Sequence, residues 1–160
     1  MQTIITAATI LSMYLSAAEN SNSSYYYNAD MENGKVTTMY VYESDSEVLT
    51  SKLAYNYTYD EQDRLVKKEV MRWNSVSGKW ENDYSLDLIY NEDGYELSRS
   101  VWDKRTQAYL PTMEKAVYQY VTDKVVAVNY LRRHESQEQF ESVDSMLVMN
   151  PTDGLLLATR

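Results

Sequence analysis

Aromatic side chains recur along this chain about every 30 residues, and a repeat of that length restricts the fold to successive copies of one supersecondary unit. Tyr59, Tyr90, Tyr120 and Met149 form one series; Trp73, Trp102 and Tyr130 form a second; Trp80, Tyr109 and Phe140 form a third. Tyr27, Tyr42 and Leu49 match the same three positions near the N-terminus. Around each leading Tyr the pattern alternates, so that Leu53, Tyr55, Tyr57 and Tyr59 share one side of a strand, as do Tyr84, Leu86, Leu88 and Tyr90. Turn chemistry follows: Asn33-Gly34, Asp93-Gly94 and Asp153-Gly154 supply the residues a tight hairpin needs at positive φ. A second strand then runs to the Trp, and a looser polar loop turns the chain back.

The unit is therefore a pair of hairpins, and the predicted fold is all-β, an antiparallel meander in a curled or open sheet. Strands are expected over 24–27, 35–43, 48–59, 65–73, 80–90, 96–102, 108–121, 125–132, 139–149 and 155–159. No stretch of 19–160 carries an apolar helical spacing with a cap. Pro111, which has no N–H for a ladder, predicts a bulge or an edge position in the third unit. The 16 Tyr against a single Phe suit half-buried strand positions, where the ring packs and the hydroxyl stays wet.

At 160 residues the chain is the size of one domain. Its 24 acidic and 15 basic residues leave a net charge of -9, which repels phosphate backbones and anionic headgroups and argues against nucleic-acid or membrane partners. The absence of Cys excludes disulfides, thiolate zinc sites and a thiol nucleophile.

Residues 3–15 form an uncharged apolar run, followed by Ser16-Ala17-Ala18 and then by polar sequence. The run is shorter than the about 20 residues that span a bilayer, and the small residues after it resemble a signal-peptidase site. Residues 1–18 read as a secretory signal, with a mature domain of 19–160 beginning at Glu19 and residing in the periplasm, at the cell surface or outside the cell. The alternative is that 3–15 is a strand or core helix of the fold; the lack of Lys or Arg before the run counts toward it.

Tyr59-Asp60-Glu61-Gln62-Asp63-Arg64-Leu65 resembles the Tyr-Asp-x-x-Gly-Arg-Leu signature of YD-type β-repeats, with Asp63 where those repeats have Gly. Weaker copies start at Tyr90 and Asn150. Over about residues 25–160 the chain is similar to a family of small secreted Bacteroides-type proteins of unknown function. The resemblance implies export and a β-meander, and it brings no catalytic residue with it.

No group of residues points to a reaction. His134, the single His, sits in the polar loop Arg132-Arg133-His134-Glu135, where a solvated imidazole is expected rather than a triad base or metal ligand. Asp60, Glu61, Asp63, Asp93 and Asp153 occupy turns, where Asp serves the backbone. The acidic stretch 28–34 lacks EF-hand spacing, so neither a metal nor a cofactor is expected. The aromatic rows remain: Trp73, Trp80, Trp102, Tyr109, Tyr130 and Phe140 serve either as a ladder between units or as an exposed ligand-binding row. Trp73 and Trp102, ending inner strands, are expected to be buried, and Trp80, beside a Ser-Gly-Lys loop, to be exposed.

These observations point to an exported, non-enzymatic binding module that presents an aromatic and acidic sheet face to a glycan or protein partner. A structural protein pairing through its sheet edges is the alternative, and a carbohydrate hydrolase a third.

Overall fold

The computed structural model of the chain describes residues 4–20, 24–45, 48–135 and 137–149. One helix, α1 (Ala7–Ala18), precedes ten strands. These are β1 (Tyr25–Glu32), β2 (Lys35–Asp45), β3 (Val48–Tyr59), β4 (Leu65–Asn74), β5 (Lys79–Asn91), β6 (Gly94–Asp103), β7 (Ala108–Tyr109), β8 (Glu114–Thr122), β9 (Val125–Arg132) and β10 (Glu141–Met149). The strand order is β1-β2-β3-β4-β5-β6-β8-β9-β10, with β7 paired to β6, and the pairings are antiparallel. This is the meander that the repeat predicts. The expected strand 155–159 lies outside the described residues.

Local chemistry sets each turn. Asn33 and Gly34, at φ 52° and 76°, give the two left-handed residues of a type I′ hairpin between β1 and β2. Between β3 and β4, Asp60 Oδ1 accepts the amides of Gln62 and Arg64, both at 2.9 Å, while Arg64 Nε donates to Asp60 Oδ2 at 2.7 Å. Asp63 closes that turn at φ 60°. Register shifts fall beside Tyr42, Tyr59 and Tyr120, so three of the repeated Tyr positions coincide with bulges.

Two elements differ from the sequence reading. The first strand runs from Tyr25 to Glu32 rather than over 24–27, because residues 28–32 pair with β2 through a bulge at Asp30/Met31 and the turn shrinks to two residues. The strand expected over 108–121 breaks into β7 and β8. Pro111 lies in the gap, where it removes a ladder donor, and Ser100 and Thr112 hydroxyls meet there at 2.9 Å.

The chain divides into two compact units, one of Ile4–Leu86 with Val101–Leu110, the other of Asp87–Ser100 with the chain from Pro111 onward. The first buries Val36, Met39, Val41, Ala54, Leu65 and Val70, along with Ala7 and Ile10 of α1. Register places Met39, Tyr55 and Val70 in one cross-strand row and Tyr40, Ala54 and Met71 in the next, so successive rows occupy opposite faces. The second unit buries Leu88, Ala116 and Val128, and stacks Tyr95 on Tyr118 with ring centroids 4.4 Å apart.

The helix occupies part of the segment expected to be a leader. Thr6 caps it, accepting the Thr9 amide at 3.3 Å while Thr9 Oγ1 accepts the Thr6 amide at 3.3 Å. α1 packs against β1 and β2.

Candidate functional site

The repeat becomes concrete in two loops of the first unit. Asn74 directly follows Trp73, and its Oδ1 accepts the amides of Val76 at 3.0 Å and Ser77 at 3.1 Å. Asp103 directly follows Trp102; its Oδ1 accepts the Arg105 amide at 2.9 Å and its Oδ2 the Thr106 hydroxyl at 2.7 Å. Each loop ends on a left-handed residue, Gly78 at φ 62° and Gln107 at φ 54°. Each then delivers an aromatic side chain back onto the Trp. Trp73 and Trp80 meet edge to face at 5.1 Å and 68°, and Trp102 and Tyr109 at 4.9 Å and 75°.

Trp80, Glu81, Asn82, Trp102, Lys104 and Gln107 together line an open cleft of about 300 Å³. Glu81 is its polar anchor, accepting hydrogen bonds from Lys104 Nζ and Asn74 Nδ2. Those two bonds, Lys104's first, hold the Glu81 carboxyl below its ordinary range, so at neutral pH it is a charged acceptor and not a proton donor. Gln107 Nε2 donates to the Lys104 carbonyl at 2.6 Å, which ties the loop's shape to a cleft-lining side chain. Two indoles, a carboxylate, an ammonium and two primary amides thus surround one cavity. That set gives apolar faces together with both donors and acceptors.

The six aromatic positions named from the sequence separate into three roles. Trp80 and Trp102 line the cleft. Trp73 and Tyr109 stand as their edge-to-face partners, and the Tyr109 hydroxyl bonds Glu69 Oε1 at 3.2 Å. Tyr130 and Phe140 belong to the other unit, Tyr130 exposed on β9 and Phe140 beneath Lys115 Nζ at 4.5 Å and the Arg133 guanidinium at 5.4 Å.

The expected contrast between a buried Trp73 and an exposed Trp80 does not hold. Both are half-buried, because Trp80 also packs on Tyr40, ring centroids 6.0 Å apart, beyond its contact with Trp73. Trp102 is likewise half-buried. The sequence reading missed Glu81, Asn82, Lys104 and Gln107. Their only signal was position, since each lies within five residues after a repeat Trp. His134 is exposed, as expected of a loop residue.

Among the described residues a second, wider cleft of about 460 Å³ lies in the other unit, lined by Asn91, Glu92, Asp93, Val117, Tyr118 and Gln119. Its lining holds one aromatic ring and two carboxylates.

A ten-stranded antiparallel meander with an aromatic cleft at its loops defines a small β-sheet protein. The chain belongs to a family of unknown function, DUF3836, whose model matches residues 1–120. A crystal structure of a protein of unknown function from Bacteroides fragilis is similar at TM-score 0.68 and 21% identity, with 81% of this chain and 95% of that one covered. A DUF3836 family protein from Bacteroides vulgatus gives 0.53 at 25% identity, covering 55% of this chain and 90% of its own. One from Parabacteroides distasonis gives 0.54 at 21%, with 59% and 89% covered. No curated protein matches the chain.

Proposed function

We propose that this chain is an exported, non-enzymatic binding module whose cleft between Trp80 and Trp102 takes a segment of neutral glycan. One observation carries the reading: two half-buried indoles and four polar side chains, both donors and acceptors, converge on one open cavity of about 300 Å³. Indole faces suit the C–H faces of sugar rings, and the amides, ammonium and carboxylate suit hydroxyls. The net charge of -9 selects against acidic polysaccharides. Glu81, held ionised by Lys104, serves here as a hydroxyl acceptor.

The test is intrinsic Trp fluorescence during titration with neutral oligosaccharides, with polyuronates as the counter-screen. A saturable change, weakened at least about tenfold in Trp80→Ala and Trp102→Ala chains that retain their thermal transition, is the expected result. Unchanged fluorescence across neutral and acidic sugars alike would end the reading. Export is tested by the mass of the protein recovered from a native host: a chain beginning at Glu19 supports it, and an intact N-terminus removes it.

The YD-like reading of the Tyr59–Leu65 turn has support in Asp63, which takes φ 60° at the position where that signature carries Gly. The assembly reading has β10 behind it, since all its residues are exposed and it ends the strand order. Against it stands Asp144, whose Oδ1 already occupies the Ser145 amide at 2.8 Å.

A further inference from the structure

The N-terminal segment docks on the first unit by two different means. Its extended part bridges Thr6 to Arg64, with the Ala7 amide donating to the Asp63 carbonyl and the Leu65 amide donating to the Ile5 carbonyl, each at 2.8 Å. Its helical part then presents one face. Ala7 and Ile10 are buried and Leu11, Tyr14 and Ala17 half-buried, whereas Ala8, Thr9, Ser12, Met13, Leu15, Ser16 and Ala18 are exposed. Positions 7, 10, 11, 14 and 17 are the i, i+3, i+4, i+7 stripe of a helix lying on a surface. That surface is supplied by β1 and β2, which α1 contacts.

We infer that the groove formed by the Asp60–Leu65 turn with β1 and β2 is a peptide-docking site, which the chain's own residues 5–17 fill until they are cut away. Processing after Ala18 removes these partners from the Asp63 carbonyl and the Leu65 amide and uncovers the surface on which the buried Ala7 and Ile10 of α1 pack. The mature protein then accepts a peptide of the same chemistry. Such a peptide has one extended residue that both pairs with Arg64 and caps the helix, followed by a small residue and a branched apolar residue three positions apart on the buried face. This site is separate from the Trp80–Trp102 cleft, and its use in the mature protein rests on the export reading, which the terminal mass tests independently.

The full-length chain carries the experiment, with a labelled peptide of residues 4–18 bearing a Lys tail as the probe. In the unaltered chain the groove is full, the Leu65 amide is protected from hydrogen exchange, and the peptide does not bind. Ile10→Asp puts a charge at the buried contact and releases the strap. This variant is expected to lose Leu65 protection, to bind the peptide saturably and to regain the protection when the peptide is added. An Ala7→Pro peptide keeps a good helix start but lacks the bridging N–H, and it should bind about tenfold more weakly. Three results would each overturn the inference: free exchange at Leu65 in the unaltered chain, equal peptide binding by both chains, or no binding by an Ile10→Asp chain whose β-sheet circular dichroism is intact.

Discussion

Glycine at two positions shows how differently one residue type constrains this fold. Gly94 opens β6 opposite Gln119, and a Cβ built there would lie 1.8 Å from the Tyr118 carbonyl oxygen, a backbone atom that cannot swing aside. Gly94→Ala is therefore expected to cost about 3 kcal/mol or more, read as a lowered denaturant midpoint. Gly78 is at φ 62° with nothing within 4 Å of its missing Cβ, so a substitution there meets conformational strain alone. Gln107 already bears that strain at the matching place in the next loop, at φ 54°. Gly78→Gln should cost only about 1 kcal/mol and leave the Trp73–Trp80 pair in place, which near-ultraviolet circular dichroism reports. Equal losses at Gly94 and Gly78 would contradict this account.

At the scale of elements, the strands were legible because their alternation and turn residues agree. Ladder polarity was written in the period-two pattern, and turns in Asn-Gly, Asp-Gly and the side-chain-capped loops. What escaped was decided by partners. Residues 28–32 look like a polar turn, yet they pair with β2 because a strand at the end of the order needs no apolar outer row. The cleft escaped for the same reason: Lys104 reaches Glu81 only once the two loops lie together, and sequence spacing says nothing of that pairing. The strands that end the order also share a protective device. Asn28 Oδ1 accepts the Ala29 amide at 2.9 Å on β1, as Asp144 Oδ1 accepts the Ser145 amide on β10. Side chains that occupy edge amides blunt recruitment of further strands, and β10 needs that protection because Val143, Met146, Leu147 and Met149 are exposed. Asp144→Ala should leave thermal stability within about 0.5 kcal/mol while raising self-association in sedimentation velocity. A variant that stays as monodisperse as the parent chain would show that the bond guards nothing.

Across the whole molecule, tyrosine burial links pH to stability. Burial pushes Tyr59 up from 10.0 to about 12 in the first unit, and its hydroxyl is further fixed by donating to the Val36 carbonyl at 2.8 Å. Burial does the same to Tyr95, also to about 12, in the second unit, with Tyr118, Tyr120 and Tyr90 adding to the rise. Tyr57 is raised further still by burial, and then by Tyr55 and Tyr59 beside it. A phenol with a raised folded value keeps its proton where the unfolded chain has released it. Its stabilisation is therefore complete below pH 10 and falls away as pH climbs through 12. Alkaline titration followed by phenolate absorbance should rise in two waves, the later one carrying the buried Tyr57, Tyr59 and Tyr95. The second wave should coincide with loss of the β-sheet circular dichroism, because Tyr57, Tyr59 and Tyr95 ionise readily only once their surroundings open. Tyr59→Phe keeps the ring and removes the titrating group, so it should move that second transition to higher pH while costing about 1 kcal/mol at neutral pH for the lost hydrogen bond. A single wave centred on the ordinary tyrosine value, with the sheet intact throughout, would mean that these rings are open to solvent and that the cross-strand rows do not bury them.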